Sequence, residues 1–100
     1  MSKNRKLSTE EAQRKIRLIA DEGFVQVGFH CKQRMVERNV TLDDIMKVLT
    51  AGIVVEEGEW DEDRGNWKYR VEGTDIEGDD LTAISIILEA EFQVFIKTVF

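Results

Sequence analysis

The sequence predicts an α+β domain, with N-terminal helices packed on one face of a C-terminal antiparallel meander sheet of three to four strands. Three observations predict it. Apolar residues recur at helical spacing through the first half of the chain. From Ile53 the apolar period shortens to two, the signature of half-buried strands. The chain also has no proline, so neither pattern is interrupted by a residue that breaks helices and sheet ladders. One hundred residues suit a single domain with a modest core. We expect that domain at residues 8–100, after a basic, flexible lead-in at 1–7.

The elements follow in order. Ser8-Thr9-Glu10-Glu11 reads as a capping box, with Ser8 as N-cap and Glu11 reaching back. Ala12, Ile16, Ile19 and Ala20 then share one helical face, and Gly23 ends the helix. Phe24, Val25 and Val27 form a short apolar stretch, an edge strand or a packed connector. Gly28 can cap a second helix running to about Arg38. Asn39 tolerates the left-handed backbone that closes a helix. Thr41 is the next N-cap, with Asp43 and Asp44 in the first turn, where the helix dipole favours anions. Leu42, Ile45, Met46 and Leu49 make the expected buried stripe of this third helix, and Gly52 stops it. Ile53–Trp60 reads as a strand, and Asp61–Asn66 as a polar turn. Trp67, Tyr69 and Val71 alternate with Lys68, Arg70 and Glu72. Asp75–Asp80 is an acidic turn. Leu81–Leu88 and Phe92–Phe100 are the strongest strands, rich in β-formers, joined by Glu89-Ala90-Glu91.

Composition excludes several function classes. No apolar run approaches the roughly 18 residues of a membrane span, and the charged N-terminus lacks the apolar block of a signal peptide. The lone Cys31 cannot close an internal disulfide, so the reducing cytoplasm is the expected location, with no membrane partner. One Cys and one His cannot build a Cys/His zinc cage. No metal and no cofactor are expected. The net charge of −6 hides an asymmetry. Residues 1–38 hold nine Lys and Arg against five Asp and Glu; residues 39–100 hold five against fifteen. Only the helical half attracts phosphate, and direct DNA binding is not expected.

The chemistry-bearing residues lie on the second helix. His30, Arg34 and Arg38 at i, i+4, i+8 span about 80° of its surface. Two guanidiniums can each donate paired hydrogen bonds to a phosphate. An imidazole is the side-chain type that moves protons near neutrality. An RNA 2′-hydroxyl needs a base, and the charge developing on phosphorus needs cations. The three residues supply both. A structural reading stands beside this one. Two arginines can snorkel from a half-buried helix towards the acidic turns, and His30 can be a satisfied helix-start residue. Arg70 and Lys97 point away from the apolar rows of their strands and are candidate substrate-binding cations. Trp60, Trp67 and Tyr69 either stack bases or pack turns and core. The carboxylates from Glu56 to Asp63 are too clustered for a tuned acid–base pair.

The segment Val27-Gly28-Phe29-His30-Cys31-Lys32-Gln33-Arg34-Met35-Val36-Glu37-Arg38-Asn39-Val40-Thr41 resembles the signature of the bacterial family known as domain of unknown function 4258. That signature has a His four residues before an Arg-Met pair, then a second Arg; His30, Arg34, Met35 and Arg38 match it. Asn39, Val40 and Thr41 stand where it has a Gly-Ile-Ser type helix start. Gly52 to Glu56, Tyr69 to Gly73 and Ile96 to Phe100 are similar to its later sections. In layout the family is similar to small RelE-like and MqsR-like toxins, messenger-RNA cleaving proteins paired with an antitoxin. The resemblance implies a toxin-like, metal-independent ribonuclease, with His30, Arg34 and Arg38 catalytic and Arg70 and Lys97 auxiliary. It implies RNA and a small antitoxin protein as partners. The alternative is a non-catalytic module that docks a protein through its sheet edge or acidic turns.

Overall fold

The computed structural model describes residues 5–100. Three helices precede most of the sheet: α1 (Thr9–Glu22), α2 (Phe29–Arg38) and α3 (Leu42–Ala51). The strands are β1 (Phe24–Val27), β2 (Ile53–Val54), β3 (Glu59–Asp61), β4 (Asn66–Thr74), β5 (Asp80–Leu88) and β6 (Gln93–Val99). No helix among the described residues is long and apolar enough to cross a membrane.

Local chemistry sets the helix boundaries. At α1 the Ser8 hydroxyl accepts from the Glu11 N–H, and the Glu11 carboxylate accepts from the Ser8 N–H, both at 3.1 Å. Two of the four orphan donors of the first turn are thereby satisfied. Ala12, Ile16, Ile19 and Ala20 are its buried residues, as the spacing requires. Thr41 and Asp44 make the same reciprocal cap on α3. Asp44 does more, because its other oxygen accepts from the Ile76 N–H at 3.0 Å and ties the helix start to the β4–β5 turn. The backbone N–H groups of Thr41 and Ile76, with the Thr41 hydroxyl, hold its carboxyl below the usual range against the effect of desolvation. The buried arc of α3 is centred on Ile45, Val48 and Leu49. Leu42, expected on that stripe, falls on its margin and is 48% exposed.

The sheet order is β1-β6-β5-β4-β2, with β3 also paired to β4. The meander from β4 to β6 is antiparallel, as expected. Three features correct the sequence reading. The sheet has six strands and is mixed, because β1 runs parallel to β6 at one edge. The segment read as one strand at Ile53–Trp60 is two short ones, parted by a bend around Glu56–Gly58. Phe92, placed in the last strand, adopts φ 49° after a single 3₁₀ turn at Glu89–Glu91. Each arises from pairing at a distance, which local periodicity does not encode.

One sheet face carries Tyr69, Val71, Leu81, Ala83, Ile87, Val94, Ile96 and Val99, all buried. They pack with Ile16, Ile19, Ile45, Val48 and Leu49 of the helices into one core. The lead-in expected at residues 1–7 lies partly outside the described residues. Its end is tied down: Leu7 is 4% exposed and its N–H donates to the Tyr69 hydroxyl at 2.8 Å.

That bond yields a prediction. Tyr69→Phe keeps the ring but leaves the buried Leu7 N–H without its acceptor. Thermal or urea unfolding should show a loss of about 1–3 kcal/mol. An unchanged midpoint would mean that the segment before α1 contributes nothing to stability through this bond.

Candidate functional site

The site begins at the corner between β1 and α2. Gly28 caps α2, and its N–H donates to the Ile96 carbonyl at 2.9 Å. A Cβ at this position would stand 2.6 Å from the Phe95 ring, so a side chain here would have to push that ring aside for the corner to close on β6. The helix then runs to Arg38 and stops where Asn39 turns left-handed at φ 55°. The Val40 N–H bonds back to the Met35 carbonyl at 2.8 Å. This is the helix end that an Asn at this place predicts.

Only a narrow side of α2 is used for packing. Cys31 is fully buried and Met35 partly so. Burial pushes the Cys31 thiol up to about 11. A thiol so far from ionising is a packing group and not a nucleophile. His30, Arg34 and Arg38 are all exposed along the adjoining edge. Arg34 lies 3.9 Å from Glu37, a solvent-facing pair of the kind worth little. Neither the His30 imidazole nor the Arg38 guanidinium has a hydrogen-bond or ion-pair partner among the described residues. The His30 ring meets the neighbouring Phe29 edge to face, with centroids 6.0 Å apart.

The first turn of α2 differs from those of α1 and α3. No side chain caps it and no acid lies in it. Its first backbone N–H groups and the positive end of the helix dipole therefore lie beside His30 without a side-chain cap. Together with the two guanidiniums, this edge can hold an anion. The snorkelling alternative, with arginines bonded to the acidic turns, is not what the structure contains: Arg34 reaches only Glu37 of its own helix.

Arg70 and Lys97 already have carboxylate partners. The packing side of α2 belongs to the helix-side core, whereas these two leave the opposite face of the sheet. Arg70 donates from Nε to Glu72 at 2.8 Å and lies 5.0 Å over the Phe100 ring. Lys97 sits at an irregularity. Ile84 pairs with Thr98 but Ser85 pairs with Ile96, so Lys97 is an extra residue in β6. Such a bulge re-aims its side chain. The ammonium meets the carboxylate of Asp61, which is 2% exposed, and lies 3.6 Å from Asp63. Burial pulls the Asp61 carboxyl up, but the bonds from Lys97 and the Arg64 N–H outweigh it and hold it below the usual range. The same contact holds the Lys97 ammonium above its usual value. Arg64 completes this clasp by stacking 3.7 Å over the Phe95 ring.

Sequence reasoning missed Asp61 as a buried residue. A signal existed in the turn Asp61-Glu62-Asp63-Arg64-Gly65, because an Asp that accepts from a later backbone N–H is a recurrent turn device. Trp60 and Trp67 meet edge to face at 5.3 Å across β3 and β4, and Lys6 lies 5.5 Å over Trp67. These aromatics pack the hairpin. Tyr69 is core, with burial pushing its hydroxyl up. No group of three or more His, Cys, Asp or Glu among the described residues could share a metal ion.

The clasp makes stability depend on pH in a defined way. Asp61 has a lowered folded-state value, so its contribution is present above the unfolded carboxyl range near 4 and is lost as pH falls. Lys97 has a raised value, so its contribution is present below about 10.4 and is lost as pH rises past the folded value. Melting temperature should therefore hold across the middle range and fall at both ends. Lys97→Met leaves a buried carboxylate without its cation and should cost about 1–3 kcal/mol at pH 7. It should also flatten the alkaline limb. A variant with the wild-type melting curve at every pH would remove the clasp from the account of stability.

Residues 28–100 match the model of a family described as Domain of unknown function (DUF4258). No curated protein matches the chain. No solved structure matches it either.

Proposed function

The chain belongs to the DUF4258 family, and from that premise we propose that it is a metal-independent ribonuclease of the toxin type, acting on RNA at the exposed edge of α2. One observation carries the reading. His30, Arg34 and Arg38 follow one another along a solvent-facing helix edge, while the packing of that helix is done by Cys31 and Met35. The fold asks little of the three polar heads beyond a weak solvent-facing pair of Arg34 with Glu37 and the edge contact of His30 with Phe29, which leaves them for a ligand.

The chemistry follows from the side chains. His30 takes the proton of a ribose 2′-hydroxyl, and that oxygen attacks the adjacent phosphorus. The bond to the 5′-oxygen breaks, and the departing oxygen receives a proton from the imidazolium or water. The products are a 2′,3′-cyclic phosphate and a 5′-hydroxyl. Arg34 and Arg38 hold the non-bridging oxygens and offset the charge that builds on them. Arg70 and Lys97, expected as auxiliary cations, are already engaged by Glu72 and Asp61. The phosphate contacts therefore fall to α2.

A second reading, docking of a partner protein, is favoured by the free edge of β1. That strand is paired on one side only, carries no charge in Phe24-Val25-Gln26-Val27, and exposes Phe24 at 72%. Uncharged edges are templates for strand addition. A small antitoxin protein docked there would lie beside α2 and restrain its access to RNA. The two readings are compatible.

The test is induction in a bacterium with growth and transcript ends followed, then cleavage by purified protein. His30→Ala should lower the rate by about 10²- to 10⁴-fold, the usual worth of general acid–base help. Arg34→Lys keeps charge but loses the bidentate fork, and should lower rate and affinity together while leaving the melting curve in place. Equal rates in wild type and His30→Ala would remove the histidine from the chemistry. Binding should also respond only weakly to salt. Two or three phosphate contacts give a slope of about −1.5 to −2 in log affinity against log salt for a single strand. A slope several times steeper would point to a larger basic surface than α2.

A further inference from the structure

Phe29 is a residue of α2 whose exposure the packing does not account for. It is 73% exposed, although it opens the helix beside the closed Gly28 corner. The core-facing places on the helix are filled by Cys31 and Met35, and the corner itself by the Phe95 ring against Gly28. Adjacent side chains on a helix diverge by about 100°. Even so, the Phe29 and His30 rings meet, with an interplanar angle of 70°. The imidazole thus lies against one side of the phenyl ring, and most of the ring's surface remains open to solvent.

We propose that Phe29 is a base-stacking residue, so that the RNA taken at this site is single-stranded. This rests on the reading of α2 as the site that holds RNA. A nucleobase lying on the Phe29 ring would place its own ribose and phosphate over His30, with Arg34 one helical turn further along. Every base has a π-face, so stacking tolerates sequence. In a duplex both faces of each base are already covered by its neighbours, and the base edges lie in grooves that a phenyl ring cannot read. The geometry therefore selects an unstacked nucleotide. Exposed aliphatic residues on the same helix, such as Val36 at 83%, have no such face to offer. Val36 is therefore an internal control on the same helix.

Binding decides the proposal without relying on turnover. The full chain is titrated with a labelled 2′-O-methyl single strand, which binds but lacks the attacking hydroxyl. Two companion probes are an abasic ribose-phosphate chain of the same length and the corresponding duplex. Phe29→Ala should weaken binding of the single strand about 5- to 100-fold, the usual worth of stacking one base. It should leave the abasic chain unaffected. Phe29→Trp should retain the wild-type affinity, Val36→Ala should change nothing, and the duplex should bind the wild type no better than the abasic chain does. An equal loss on the abasic chain would show that Phe29 acts through the fold, and no loss on the single strand would show that it does not stack. Either result overturns the proposal, while continued sensitivity of all probes to Arg34→Ala would keep the phosphate site. If the wild type binds neither chain at low salt, both the stacking proposal and the reading of α2 as an RNA site fall.

Discussion

The face of the β4–β5–β6 sheet that carries Val71, Ala83, Val94, Ile96 and Val99 has to be covered, and much of the molecule follows from that requirement. Removing this face from water at roughly 25 cal/mol per Å² is the main favourable term available to a chain of this size. Helices α1 and α3 supply the cover with Ile16, Ile19, Ile45, Val48 and Leu49. Their N-termini are capped by their own side chains, and Asp44 also accepts from the Ile76 N–H of the β4–β5 turn. The helical layer and the sheet are therefore joined at several points by polar bonds as well as by contact.

The covering leaves α2 in an unusual position. It is tied to the sheet by the strand before it: β1 lies along β6, and the Gly28 N–H bonds to Ile96. It is committed to the core only by Cys31 and Met35. A ten-residue helix held by one side and one end presents most of its surface, with an open N-terminus, two arginines and a histidine. The acidic charge of the molecule is concentrated in the second half of the chain. An anionic ligand directed to α2 is thus drawn by local charge and held off elsewhere, which favours a small contact over an extended groove.

On the far face of the sheet the cations have a different role. Lys97, Asp61, Arg64 and Phe95 fasten the β3–β4 turn to the last strand, with a carboxylate removed from water at the centre. A buried charge that is paired and hydrogen-bonded fixes geometry more than it adds net stability. Here the pair ties the turn to β6 at the bulge. A lysine flanked by Ile96 and Thr98 looks like a candidate binding residue in the sequence, and only its partner reveals it as part of a clasp.

Short-range physics was legible in the sequence. The capping boxes at Ser8 and Thr41, the left-handed stop at Asn39, the alternation through Trp67–Val71 and the cationic edge of His30, Arg34 and Arg38 all depend on residues within one or two turns of each other. The α+β class followed from the change of period at Ile53. What only the tertiary structure decided depends on residues far apart in the chain. The parallel pairing of β1 with β6 joins segments some seventy residues apart, and four apolar residues do not specify a partner. The burial of Asp61 needed Lys97, thirty-six positions away, to offset the cost of removing a charge from water. The exposure of Phe29 depends on which side of α2 the core takes, and the packing settles that on Cys31 and Met35. Periodicity records which face of an element is apolar, whereas its neighbours are chosen by closing long loops against competing pairings, and that choice is a property of the whole chain.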